Sequence, residues 1–242
     1  WYSRSTLRPN CNDAGAYESL DLGFNGVSGS IPPEVALLSG LTRIQLSGGT
    51  LLDLTGRLPS ELGLLTSLES FSAQRNSLTG LLPPEIGAWT ALDQLDLSEN
   101  KFTGSLPSEI GGMTALTGLN LTTNEFTGNL PITIAQLVEL EVLSLADNSF
   151  EGSVPAQLGL LAQLKTLSME TNRFSAIPTE LGFLRNLGSL MLFENNLTGT
   201  LHSELGALSN LRIFNMRSNG LTGPIPPQYG SLTTLRELDL SS

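Results

Sequence analysis

Cysteine is almost absent from this 242-residue chain: Cys11 stands alone, so no disulfide can close within it. Histidine is as scarce, with His202 the single example. One imidazole and one thiol, far apart, exclude most Cys-His and His-based catalytic arrangements and leave no His/Cys set for a transition metal. No run of 18 apolar residues occurs, so no segment of this sequence reads as a membrane-spanning helix. Cations are few, 12 Lys and Arg against 23 Asp and Glu, giving a net charge of −11. A nucleic-acid backbone is repelled by that balance, and no run of Lys or Arg offsets it locally. Aromatic residues are 6% of the chain, so its core is aliphatic. Charged residues are 14%, below the usual quarter, which leaves a surface of Ser, Thr, Asn and Gly common in secreted proteins.

What the chain has in abundance is one phrase: Leu-x-x-Leu-x-Leu-x-x-Asn-x-Leu/Phe-Thr-Gly-x-Leu/Ile/Val-Pro. A full copy runs from Leu92 through Leu95, Leu97, Asn100, Phe102 and Gly104 to Pro107. The first leucines are Leu41, Leu68, Leu92, Leu116, Leu140, Leu164, Leu187, Leu211 and Leu235, in steps of 27, 24, 24, 24, 24, 23, 24 and 24. An earlier coil starts at Tyr17, with Leu20, Leu22 and Asn25 in phase. A fixed period of this size specifies a solenoid, in which repeated residues are buried and variable ones displayed. The expected organisation is a partial N-terminal cap segment over 1–16 and a repeat array over 17–242, about ten coils with the last incomplete. Both ends are expected to be cuts in a longer polypeptide, since a solenoid needs polar caps.

Each part of the phrase has a physical role. The Leu-x-Leu core predicts a short strand with apolar residues turned inward at period two. The Asn carries donors and an acceptor that can serve backbone groups of its own and the next coil. Gly permits the close turn and Pro fixes φ. The following Glu-Leu-Gly-x-Leu has room for only one short helical turn. Carboxylates are numerous enough for an acid/base pair, but Glu34, Glu61, Glu85, Glu109, Glu180 and Glu204 recur with the period and read as scaffold or solubility.

The Leu-Thr-Gly-x-Ile-Pro element followed by Glu-Leu-Gly-x-Leu resembles the plant-type leucine-rich repeat, over roughly residues 17–242. That class includes receptor-kinase ectodomains, receptor-like proteins and polygalacturonase inhibitors. The resemblance implies an α/β solenoid: a right-handed superhelix with a parallel concave β-sheet, short 3-10 turns on the convex side and a second small sheet formed by the Thr-Gly segments. It also implies a cap in which a Trp precedes a disulfide-bonded Cys. Trp1-Tyr2 followed by Cys11 matches loosely. Cys11 is thus either one half of a cap disulfide or a lone thiol.

Three places break the pattern. Gly49 stands at the Asn position, and three extra residues within 48–53 predict a bulge, either a binding loop or drift near the end of the array. The Leu164 coil is one residue short and lacks its Gly, reading Phe174-Ser-Ala-Ile177-Pro178, which predicts a local change of curvature. His202 replaces a Pro. With no second ligand nearby it reads as a surface substitution rather than a metal site or pH sensor.

Most of the outward strand positions are small and polar; apolar and large residues collect at Met191, Phe193 and Ile213, beside Glu194, Asn215 and Arg217. Exposed Met, aromatic and Arg residues are enriched in binding hot spots, so these six form the leading candidate site. The competing reading has Phe193 folded back over a coil edge. A weaker mixed patch comprises Phe24, Arg43, Gln74 and Arg75. Asn120-Leu-Thr122 and Asn196-Leu-Thr198 match the N-glycosylation acceptor pattern. The function expected is a non-catalytic extracellular or cell-surface recognition module, without cofactor, whose partner is a protein or peptide ligand or a co-receptor. The alternatives are a secreted enzyme inhibitor and an adhesion or structural protein. Ice binding is the least favoured of these, because the column Thr55, Thr79, Thr103, Thr127, Thr198, Thr222 is interrupted by Glu151 and Ser175.

Overall fold

The computed structural model describes residues 17–49 and 53–241. Ten three-residue strands, from Ser19–Asp21 to Glu237–Asp239, pair in chain order into one parallel sheet. The register never slips: Leu20 faces Ile44, Ile44 faces Phe71, and Phe71 faces Leu95. These central residues point inward, and from Ile44 to Phe214 each is buried. A second parallel sheet of seven strands runs from Gly29–Ser30 to Arg173–Ala176, and a separate two-stranded ladder joins Thr198–Thr200 to Gly220–Thr222. Between the outer strand of one coil and the inner strand of the next lies a five-residue 3-10 helix, the first at Pro33–Leu37 and the last at Pro227–Ser231.

The helices are short because the coil forces them to be. In eight of the nine among the described residues a Pro precedes the helix, as Pro59 does at φ −66, and an apolar residue such as Leu65 closes it by returning its N–H to the carbonyl three residues back. In six of the turns, at Gly63, Gly87, Gly111, Gly159, Gly182 and Gly206, a glycine is required by the next coil. A Cβ on Gly63 would lie 2.5 Å from the Glu85 carbonyl oxygen, and one on Gly159 would lie 2.4 Å from that of Glu180.

The core is a set of stacked columns, mostly leucine. One column is aromatic: Phe102, Phe126, Phe150 and Phe174 stack with centroids 6.0, 5.8 and 6.3 Å apart. Trp89 occupies a leucine position, stacks on Phe71 at 5.3 Å and donates its indole N–H to the Leu62 carbonyl at 2.9 Å.

The asparagines form a second ladder. Asn124 accepts the Phe102 N–H at 3.0 Å, and its amide donates to the carbonyls of Leu97 at 3.0 Å and Leu121 at 3.1 Å. Asn76, Asn100, Asn172, Asn195 and Asn219 bond in the same way. Each therefore serves its own coil and the preceding one, not the next coil as the sequence suggested. The side chain leans back because the residue before it is in the left-handed region, as Thr123 is at φ 56.

Where Gly49 replaces this asparagine, a cavity of about 10 Å³ remains among Leu22, Val27, Leu46, Gly48 and Asn76. The expected bulge over 48–53 falls partly at 50–52, outside the described residues. The short Leu164 coil changes more than curvature. Ala176 takes the place of a glycine with positive φ, the pairing shifts register between Gly152 and Ser153, and the seven-stranded outer sheet ends there.

Candidate recognition surface

The inner sheet presents three columns of side chains per strand, and short polar residues largely satisfy one another. Asp96 accepts the Ser98 N–H and hydroxyl at 3.0 and 2.7 Å, and Ser168 donates to Glu170 at 2.7 Å. Ser47, Ser98 and Ala146, which follow their strands by two residues, and Ser168, the last residue of its strand, are buried.

The leading cluster lies toward the far end of this sheet. Ser189 pairs with Ile213 and Met191 with Asn215, so the two strands hold three of the six residues, Met191, Ile213 and Asn215, side by side. Phe193 follows its strand half-buried, facing the same side, and the Arg217 guanidinium lies 5.5 Å above its ring centroid. Glu194, in the left-handed region at φ 54, accepts from Arg217 Nη2 at 2.8 Å. Both charged side chains are nearly half exposed, so the pair and the ring contact contribute on the order of 1 kcal/mol or less each. Their value is positional: the ring and the carboxylate fix an otherwise mobile arginine.

Asp239 is the residue that sequence reasoning missed. It pairs in register with Asn215. The Ser241 hydroxyl and N–H hold its carboxyl below the usual range, with Arg217 adding to the effect. Its place one coil beyond Asn215 in the same column was the available signal.

The weaker patch comes together less well. Phe24 and Arg43 are exposed, but Gln74 is occupied by the Ser47 and Ser72 hydroxyls, and Arg75 is paired with Glu99 at 3.0 Å. Asn196 is exposed with its sequon threonine on an outer strand, whereas Asn120 is half-buried in an inner strand and accepts the Thr122 N–H at 3.2 Å. Cys11 lies outside the described residues. His202 sits before a 3-10 helix in the place of the Pro, with Nε2 3.0 Å from the Ile177 carbonyl oxygen. Among the described residues no three His, Cys, Asp or Glu side chains converge as metal ligands. An open groove of about 640 Å³ lies not at the cluster but beside the sheet break, lined by Leu130, Ile132, Val154, Pro155, Ile177 and Pro178. It gathers no charged groups, so the cluster remains the better candidate.

Comparison with known proteins agrees with this architecture. The family model described as Leucine Rich Repeat matches residues 67–89, 91–113, 139–161 and 210–232. The chain superposes with TM-score 0.92 and 35% identity on the leucine-rich-repeat ectodomain of the Arabidopsis thaliana membrane receptor kinase GASSHO1/SCHENGEN3, solved in complex with CASPARIAN STRIP INTEGRITY FACTOR 2. That match covers 96% of this chain and 28% of the ectodomain. A leucine-rich-repeat protein of Leptospira interrogans is similar at 30% identity and TM-score 0.73, over 97% of this chain and 70% of that protein. A plant ice-binding protein matches at 26% identity and TM-score 0.75, over 93% and 74% of the two chains. The chain spans 28 to 43% of the length of the first four receptor structures that it matches. No curated protein sequence matches it.

Proposed function

Since this chain belongs to the leucine-rich-repeat family, in its plant-type class, we propose that it is a non-catalytic extracellular recognition module that binds a peptide or protein ligand across its inner sheet. The observation that carries this reading is the cluster of Met191, Phe193, Ile213 and Arg217, with Arg217 held between the Phe193 ring and Glu194 on a sheet that is mostly small and polar. A preformed surface of this kind keeps the ordering cost of binding low. The receptor ectodomain it resembles was solved with a partner bound, which supports a peptide or protein as the ligand class.

Selection against a random displayed-peptide library tests the reading. The wild-type chain is expected to enrich a consensus peptide. A variant carrying Met191→Ala, Phe193→Ala and Arg217→Ala is expected to lose that peptide while its melting temperature stays within a few degrees. Equal binding by both proteins overturns the site.

Ice binding is a second reading with one observation in its favour: Thr55, Thr79, Thr103 and Thr127 stand on consecutive outer strands. Lys101, Glu125, Glu151 and Arg173 stand on the same sheet and break its regularity with charge. Thermal hysteresis above that of a control protein would favour ice binding; none is expected.

A further inference from the structure

One edge of the inner sheet carries a pattern that ligand binding leaves unused. The residue immediately before each strand presents its carbonyl to two N–H groups of the next coil. Glu69 accepts from Asp93 and Gln94, Glu141 from Lys165 and Thr166, and Arg212 from Arg236 and Glu237. This ladder holds those residues in one column, one per coil. Charge along it is segregated: acidic at Glu69, Asp93 and Glu141, basic at Lys165, Arg212 and Arg236.

The column is also its own complement when reversed. Turned about a two-fold axis between the strands Val142–Ser144 and Thr166–Ser168, it sets Glu69 opposite Arg236, Asp93 opposite Arg212, Thr117 opposite Gly188 and Glu141 opposite Lys165. No position meets a like charge. A two-fold contact requires this property, because each patch must match itself in the opposite direction. The turns beside the column allow close approach. Near the axis they carry Val138, 52% exposed, and Ala162, and further out Ala91 and Ala115. Glu141 and Lys165 already pair within one chain at 2.7 Å while each stays about half exposed, so at the axis two such pairs would close an alternating square. Glu69, Asp93, Arg212 and Arg236 are in none of the ion pairs found among the described residues.

We propose that this edge is a self-association surface, on which a second copy of the chain docks antiparallel through Glu69–Arg236, Asp93–Arg212 and Glu141–Lys165 pairs, each made twice. The interface leaves the Met191–Arg217 cluster uncovered, so it stands or falls separately from the ligand-binding reading. Exposed ion pairs are individually weak and screened by salt, so the dimer is expected at high protein concentration and low ionic strength.

Sedimentation equilibrium on the full chain decides the matter. Wild type is expected to dimerise, with a dissociation constant that rises with added NaCl. Arg212→Glu with Arg236→Glu, and separately Glu69→Arg with Asp93→Arg, are each expected to weaken it about tenfold or more, because four attractive pairs become repulsive. An equimolar mixture of the two variants restores every pair and is expected to form a heterodimer at wild-type strength. A wild type monomeric throughout, variants that dimerise unchanged, or a mixture that fails to associate would each overturn the proposal.

Discussion

At the scale of single residues, the asparagine ladder gives the sharpest energetic statement. Replacing Asn124 by Ala strands the buried Phe102 N–H of the coil before it, while the Leu97 carbonyl keeps its second donor, the Asn100 amide. One unsatisfied buried backbone group costs about 1–3 kcal/mol, which urea unfolding of the Asn124→Ala variant should show as a lowered midpoint with little change of slope. Gly49→Asn is not a simple converse. A Cβ there meets nothing nearer than the Phe24 Cα at 4.0 Å, but Gly48 before it is not in the left-handed region that aims each ladder amide. The variant is therefore expected to stay within about 0.5 kcal/mol of wild type in urea unfolding. The asparagine positions were plain in the sequence, as was the gap at Gly49. The direction of their bonds was not, because a periodic string looks the same read forward or backward. Only the left-handed residue preceding each asparagine, whose identity ranges from Phe24 to Asp147, sets the amide against the previous coil.

At the scale of elements, the break in the outer sheet shows how one missing residue spreads to its neighbours. The shortening at Phe174-Ser-Ala-Ile177 was legible, but its consequence depends on how Ser149–Ser153 and Thr198–Thr200 pair with the strand between them. Inserting Gly between Ser175 and Ala176 restores the repeat phrase and its positive-φ turn. The insertion is expected to join the two outer ladders. Hydrogen exchange at Thr198–Thr200 should slow, while exchange at the inner strand Ser189–Met191 stays as it was. The same limit governed the candidate site. The strand column placed Met191, Ile213 and Asn215 together from the sequence alone, since strand register follows the period. The orientation of Phe193 depends on where the Arg217 side chain goes, and a column of letters does not carry that.

At the scale of the whole molecule, charge is distributed as unevenly as the repeats are even. Residues 17–164 hold sixteen acidic and four basic side chains, whereas 165–242 hold six of each. The first stretch therefore repels itself. Moving a dilute sample from about 0.01 to 0.15 M NaCl is expected to raise its melting temperature, because the screening length shortens to about 8 Å. The gain in hydrogen-exchange protection should concentrate before Lys165. The overall architecture was the most legible level of all, because a solenoid is nearest-neighbour repetition and repetition is what a sequence displays directly. The backward reach of the asparagines also gives the array a sense of time. Each amide arrives some 22 residues after the backbone N–H it will satisfy, as Asn148 does for Phe126. On a ribosome, a newly emerged coil therefore remains provisional until its successor has been synthesised, and the solenoid consolidates one turn behind the growing end of the chain.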